Sequence, residues 1–394
     1  MIWGSYRPGN EMGRPGNRKA RKPEIGERKE ILMTTNRIYI IGVGAISGSH
    51  IQAISILPGG EDIEVHVSDT NPDALKRVRE QHPDIQTHSD TAEMLAIPAR
   101  ADDIVIVATP PVSHCALTVQ SLESGRHVLC EKPLAMNQNE AGIMLRKALE
   151  VDRLLGCCSV RFIGHPATET MKAWLDEGKL GEVYSVNWHH RGQGSREGVV
   201  VRPEAAWRAA RSKGGGGVIM DWGAYDFTAL GDVLKPVKVE VLHAWMAPPV
   251  ANAQLPEGAV MDVEFHGGAA MVYHREDGIA IPVSYERGHP AYGTSMEQFD
   301  FQGTNGTAEL NWLQGGLKYY FDRDGKVVSE DIPCEASESA PKMLQRPLCY
   351  FYDAVNGNPS SAVLNEQAVF NFNCLRAVYD CAETGRPQTV IKGD

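Results

Sequence analysis

Two hydrophobic periods run along this chain, and the change from one to the other divides it. From residue 34 to 158, short apolar runs at 38–43, 63–67, 104–108, 127–130 and 154–158 alternate with stretches of helical spacing. Alternation of that kind predicts a doubly wound parallel sheet with helices on both faces. The clearest helix covers 139–150, where Ala141, Met144, Leu145, Ala148 and Leu149 share one stripe. After residue 159 the texture changes. Pro166 opens a helix that carries Ala167, Met171, Trp174 and Leu175 at helical spacing and stops at Gly178. Period two then takes over: Tyr184, Val186 and Trp188 alternate with polar or smaller residues, as do Ala259, Met261, Val263 and Phe265, and again Phe299 and Phe301. With turns expected at 266–268 and at Asp324-Gly325, these runs predict an antiparallel sheet with one buried face. A last helix sets Val369, Phe372, Leu375, Val378 and Ala382 on one face before Gly385 and Pro387. The expected fold class is α/β: an N-terminal doubly wound parallel sheet over 34–158, then a C-terminal α/β domain over 159–394 with a large, mostly antiparallel open sheet. Too few helices follow that sheet to cover both its faces, so a homo-oligomer, dimer or tetramer, is expected.

Composition narrows the class of partner. With 42% hydrophobic and 23% charged residues and a formal charge of −11 over 394 residues, the chain is expected to be globular, with no nucleic acid as partner. No apolar run approaches the roughly 18 residues of a membrane span, so no membrane partner is expected. Residues 1–33 carry eight basic residues against four acidic ones and no apolar h-region. They read as a disordered arm, or as sequence upstream of a true initiator at Met33, and not as a secretory signal. The eight cysteines show no C-x-x-C spacing and several sit inside apolar runs, which suits free thiols in a reducing cytoplasm. No metal site is expected either, since His189 and His190 are adjacent on a predicted strand and must face opposite ways.

Candidate chemistry begins at the first strand. Gly42 and Gly44 follow it at once and an amphipathic stretch follows them, which is the strand, tight turn and helix of a dinucleotide site. Gly42 permits the turn, and Gly44 lets the backbone of Gly44, Ala45 and Ile46 approach a pyrophosphate at the helix N-terminus. Ser47 stands where a third glycine is usual and is small enough for close packing. Asp69 ends the second apolar run, 27 residues after Gly42. A carboxylate there accepts ribose hydroxyls and repels a 2′-phosphate, which makes NAD the expected cofactor and NADP the lesser alternative. Ligands of an open parallel sheet bind at the carboxyl ends of its strands. That rule points to Thr109, Pro110 and His114 after the fourth run, and to Glu131 and Lys132 after the fifth. Lys132 is either a solvated loop residue or a cation at the nicotinamide edge. Asp221 and Tyr225, four residues apart on a predicted helix, are either an N-cap and a core aromatic or a substrate-facing pair.

Several motifs together resemble one family. Gly-Val-Gly-Ala-Ile-Ser at 42–47, Ala-Thr-Pro-Pro-Val-Ser-His at 108–114, Gly-Arg-His-Val-Leu-Cys-Glu-Lys-Pro-Leu-Ala at 125–135, Gly-Lys-Leu-Gly-Glu-Val at 178–183 and the stretch 214–224 are similar to the glucose-fructose oxidoreductase and inositol dehydrogenase (Gfo/Idh/MocA) family. The likeness covers about residues 36–390. It implies a Rossmann domain, a second α/β domain, and hydride exchange between a nicotinamide and a sugar, cyclitol or related polyol carbon. By resemblance Lys132 lies next to the substrate hydroxyl, and Asp221 to Tyr225 match a segment whose last position is usually a histidine proposed as acid/base group. This chain has Tyr225 there, as the glucose-fructose oxidoreductase branch has tyrosine. A phenol is a weak base at neutral pH, so a neighbouring lysine is expected to lower its pKa. The reading is thus a cytoplasmic NAD-dependent dehydrogenase with Lys132, Tyr225 and Asp221 as catalytic residues. Two alternatives stand beside it: an NAD-retaining glycoside hydrolase of the same fold, and a non-catalytic nucleotide-responsive binding protein.

Overall fold

The computed structural model describes residues 37–196, 199–338 and 340–393, and the expected arm over 1–33 lies outside them. Strand β1 (Arg37–Ile41) leads into α1 (Ser47–Ile54), β2 (Glu64–Ser68), α2 (Pro72–Gln81), β3 (Gln86–His88), α3 (Thr91–Leu95), β4 (Ile104–Val107), α4 (His114–Glu123), β5 (His127–Cys130), α5 (Gln138–Glu150) and β6 (Leu155–Cys157). The six strands are parallel in the order β3-β2-β1-β4-β5-β6. Every residue of β1 and β4 is buried, as strands covered on both faces must be. The order reverses between β1 and β4, and this crevice is where such a sheet binds ligands. On α5 the stripe is narrower than expected. Ala141, Met144 and Ala148 are buried while Leu149 is 52% exposed, because the helix buries only the edge that faces the sheet.

The second half continues with α6 (Pro166–Asp176), β7 (Val183–Gln193), α7 (Arg211–Gly214), α8 (Val218–Leu234), β8 (Pro236–Met246), β9 (His266–Arg275), β10 (Ala280–Ala291), β11 (Met296–Gly303), β12 (Gly306–Asn311), β13 (Gly316–Arg323), β14 (Lys326–Ile332), α9 (Arg346–Val355), α10 (Asn365–Thr384) and β15 (Gln388–Ile391). Nine strands form one sheet in the order β14-β13-β12-β11-β7-β10-β9-β8-β15. All pairs are antiparallel except β7 with β10. One face packs on α8 and α10 through Val239, Val241, Met271, Tyr273 and Tyr285, all buried. The buried core runs without a break from Val128 and Leu155 of the first sheet to Trp188 and Phe299 of the second.

Three local expectations fail for physical reasons. Tyr184 is 52% exposed and Val183 buried, because a bulge opposite Gln302 and Gly303 flips the start of β7. Residues 259–265 are not a strand. Glu264 instead runs beneath the start of α8, its carboxylate accepting from the Gly217 and Ile219 amides at 3.0 Å and its carbonyl from Val218. A side chain at Gly217 would lie 1.8 Å from the Glu264 carbonyl oxygen, so glycine there serves close approach. The turn expected at 266–268 is instead the beginning of β9. Gly268 lies beneath the Trp245 ring, with no room for a Cβ.

Candidate active site

The crevice begins with the turn after β1. Gly42 has φ +93°, and a Cβ there would stand 2.9 Å from the Ala108 carbonyl oxygen. Its amide donates to Ser68 O at 2.8 Å, which ties the turn to the end of β2. Gly44 and Ala45 are exposed and nothing lies within 4 Å of a Cβ built on Gly44. Ser47 closes the first turn of α1 by donating from Oγ to Gly44 O at 2.6 Å. The Asp69 carboxylate is fixed at the tip of β2, where Oδ2 accepts from Val43 N at 2.8 Å and Oδ1 from Asn71 N at 2.7 Å. Two amide donors hold the charge in place and leave lone pairs for hydroxyls. Thr109 faces Gly42 across the crevice with its methyl group, and its hydroxyl accepts from Ser113 Oγ at 2.8 Å. Open backbone beside a fixed carboxylate suits a dinucleotide's pyrophosphate and ribose.

His114 was expected at the cofactor and is instead fully buried. Its ring bridges the loops after β4 and β5, with Nδ1 2.9 Å from Pro133 O and Nε2 2.8 Å from Thr109 O. Burial depresses its pKa, against the raising effect of those carbonyls. It is a strut that sets the spacing of these two loops. Glu131 is likewise buried, at 5% exposure.

Lys132, from the loop after β5, makes an ion pair with Asp221 Oδ1 of α8 and donates to Asp221 O at 3.0 Å. Its ammonium stands 4.8 Å from the centroid of the Tyr225 ring. Asp221 lies in the first turn of α8, past its cap at Gly217, so it is not the N-cap. Burial pushes the Asp221 carboxyl up, and the Lys132 ammonium outweighs that, leaving it below its ordinary value.

Tyr225 departs from expectation. Its hydroxyl does not meet Lys132 but accepts from Arg161 Nη1 at 2.6 Å. Arg161 Nη2 donates to Glu131 Oε1 at 2.9 Å, and His50 Nε2 lies 3.0 Å from the same oxygen. Glu131 Oε2 in turn accepts from the Lys132 amide at 3.1 Å. This buried chain joins α1, the loop after β5, the loop after β6 and α8. Burial raises the Tyr225 pKa well above its ordinary value, and Arg161 offsets only part of that. The expected lowering by lysine is therefore wrong, since Lys132 spends its charge on Asp221 and faces the phenol ring rather than its oxygen.

Arg161 and His50 escaped sequence reasoning. The strand-end rule applied to β4 and β5 also covers β6, and carried one strand further it points to Arg161. No comparable signal marks His50, whose partner is 81 residues away. His50, Glu131 and Cys158 bring possible metal-ligand atoms within 4.8 Å of one another. A guanidinium already sits on the shared Glu131 oxygen, so the cluster is unsuited to a cation. His190 stacks on Trp222 at 6.4 Å, while His189 bonds to Ser284 Oγ at 2.8 Å on the other face of β7. Asp226 is wholly buried against Trp188, Tyr285 and Arg287 and plays a structural part.

Comparison with known proteins identifies the family. The family description "Oxidoreductase family, NAD-binding Rossmann fold" matches residues 36–157, and the GFO/IDH/MocA C-terminal domain matches residues 168–309. The chain is 26% identical over 296 residues to 1,5-anhydro-D-fructose reductase of Ensifer adhaerens, spanning 74% of this chain and 80% of that protein. It is 30% identical over 156 residues to inositol 2-dehydrogenase of Rhodococcus erythropolis, spanning 39% of this chain and 44% of that one. In fold it is similar to levoglucosan dehydrogenase in complex with NADH and levoglucosan, with a TM-score of 0.73 at 17% identity, covering 91% of this chain and all of the other. The chain belongs to the GFO/IDH/MocA family of NAD-binding oxidoreductases.

Proposed function

We propose that this protein transfers hydride between NAD and a carbinol carbon of a sugar, cyclitol or related polyol. The observation that carries the reading is the pairing of Lys132 with Asp221. It brings a cation from the ligand-binding edge of the parallel sheet against a carboxylate on the helix that covers the second sheet. The named activities of the relatives, on anhydrofructose and inositol, support the substrate class. NAD, when bound, supplies the hydride acceptor or donor. The turn 42–46 would hold its pyrophosphate, Asp69 a ribose, and Thr109 and Pro110 the far wall. Loss of hydride from a carbinol requires its hydroxyl proton to leave as well. Lys132, oriented by Asp221, stabilises the forming alkoxide, and the hydroxyl proton passes by way of the Lys132 ammonium to the Asp221 carboxylate paired with it and on to solvent. Tyr225 stays in the catalytic set as a neutral phenol. With Arg161 donating to its oxygen and burial raising its pKa, it offers a hydrogen bond to the substrate oxygen in either direction and is no base at neutral pH. A panel of sugars and cyclitols assayed for NADH formation tests the reading; cleavage of a glycoside with no net NADH would replace it with the hydrolase.

We infer further that the chain works in the cytoplasm as a homo-oligomer. Eight free cysteines, five of them buried, suit a reducing compartment. No helix among the described residues is long and apolar enough to cross a membrane. The face of the nine-stranded sheet turned away from α8 and α10 exposes Leu242, Trp245, Ala270 and Pro282, an apolar strip suited to a second copy. Light scattering that gives a monomer mass at micromolar concentration would contradict this.

A further inference from the structure

A cavity of about 200 Å³ lies behind the aromatic wall of the candidate site. Phe162, His165, Pro166, Trp312, Met343 and Arg346 line it, and Lys132, Asp221 and Tyr225 do not. These side chains arrive from the segment between β6 and α6, from the loop between β12 and β13, and from the approach to α9. Two buried polar groups on this wall lack a hydrogen-bond partner among the described residues. His165 is 6% exposed with both ring nitrogens unbonded, and Trp312 is 1% exposed with its Nε1 unbonded. The Phe162 carbonyl lies close enough to raise the His165 pKa slightly, but without hydrogen-bond geometry. Interiors pair such groups in the great majority of cases, because a buried N–H without an acceptor keeps its whole desolvation penalty. Two on one cavity wall call for a polar occupant.

The charge of that occupant follows from the rest of the lining. Among the described residues, no carboxylate lines the cavity. Arg346 is held by carbonyl oxygens, with Nη1 donating to Arg161 O at 2.8 Å and Nε to Pro341 O at 3.3 Å. Carbonyls orient a guanidinium without neutralising it. We propose that this cavity binds a small organic or inorganic anion, a carboxylate or a phosphate, through Arg346, the Trp312 indole N–H and the His165 ring. Burial first, and then the Arg346 charge, push the His165 pKa down to about 4, so at neutral pH the ring is uncharged and offers one N–H. The volume equals roughly seven waters at about 30 Å³ each, which fits a phosphate or a short-chain acid and excludes a dinucleotide.

An anion here would be felt at the candidate site by two routes. The Phe162 ring meets the Tyr225 ring edge-on at 5.3 Å, and Arg346 is tied through the Arg161 backbone to the guanidinium that holds the Tyr225 hydroxyl. Binding itself needs no turnover, so the test stands apart from the oxidoreductase assignment. Calorimetric titration of the full chain is run with inorganic phosphate and with acetate, and with NAD saturating throughout so that the pyrophosphate turn is filled. The expected result is saturable binding of one probe or both at one site per chain. His165→Phe keeps the ring volume and Trp312→Phe keeps an aromatic, and each removes a donor. Each should weaken binding by about tenfold or more, the worth of one hydrogen bond to a charged group. Binding of phosphate alone or acetate alone supports the site and names its source. No saturable binding of either probe to the wild-type chain, or binding of equal strength in both variants, overturns the proposal. Melting without ligand provides the folding control, since His165→Phe breaks no hydrogen bond and should melt no lower than wild type.

Discussion

Replacing Glu131 with glutamine alters one charge at the centre of the buried chain and almost no volume. In the native protein its two oxygens accept from Arg161, His50 and the Lys132 amide, at 2.9, 3.0 and 3.1 Å. Burial alone would raise its pKa; Arg161 above all, then His50 and Lys132, hold it well below the carboxylate range. In Glu131→Gln the Arg161 guanidinium, 8% exposed, stays buried with no counter-charge. Breaking a buried pair from one side costs about 3–5 kcal/mol. With an m-value of roughly 3 kcal/mol/M, the urea midpoint should fall by about 1 M or more. Unfolding followed by tryptophan fluorescence measures it. Adding Arg161→Met removes the stranded cation, so the double variant should recover at least about 1 kcal/mol relative to additivity. The pH arm has a definite sign. A carboxylate whose folded pKa is depressed contributes stability above its unfolded pKa, near 4.3, and loses it as pH falls toward the folded value. Wild type should therefore lose stability faster than Glu131→Gln below about pH 4.5. An unfolding free energy for Glu131→Gln within about 0.5 kcal/mol of wild type, the range of ordinary surface substitutions, would refute the reasoning.

Two further outcomes are expected. Asp69→Ala should narrow the preference for NAD over NADP by roughly tenfold or more, since the repelling carboxylate is gone; titration of both cofactors checks it, and tighter NADP binding to wild type would sink the cofactor assignment. For His165, buried beside Arg346, the folded pKa of about 4 lies below the unfolded 6.5, so the unfolded chain binds the proton first. Its contribution is whole above pH 6.5 and falls by about 3 kcal/mol as pH drops to 4, so the melting temperature of His165→Phe should decline less than that of wild type across this window.

The glycine turn and the alternation of strand and helix were legible because both rest on local rules: a positive φ at Gly42, and periods that burial enforces. The loop carrying Lys132 was legible for a similar reason, since a parallel sheet fixes where its strand ends point. What escaped depends on distant parts of the chain. The sign of the Tyr225 shift follows from how deeply α8 is buried, against the opposing charge of Arg161, 64 residues away. The 259–265 stretch alternates as a strand does, yet its backbone and carboxylate are consumed in capping α8. At Tyr184 one bulge reversed the faces, which alternation alone cannot reveal. At His114 the sequence places the residue after β4 but does not reveal that both ring nitrogens face carbonyls of the two neighbouring loops.

The pairing of Lys132 with Asp221 across the two sheets is tested most directly by Lys132→Met. On whichever sugar or cyclitol gives NADH with wild type, this variant should lose turnover on the order of 100-fold or more, as acid/base groups do, while NAD affinity stays within about twofold. Tyr225→Phe should lose less turnover and be the less stable of the two, since it leaves a buried Arg161 nitrogen without its acceptor. Full activity in Lys132→Met would show that the chemistry lies elsewhere.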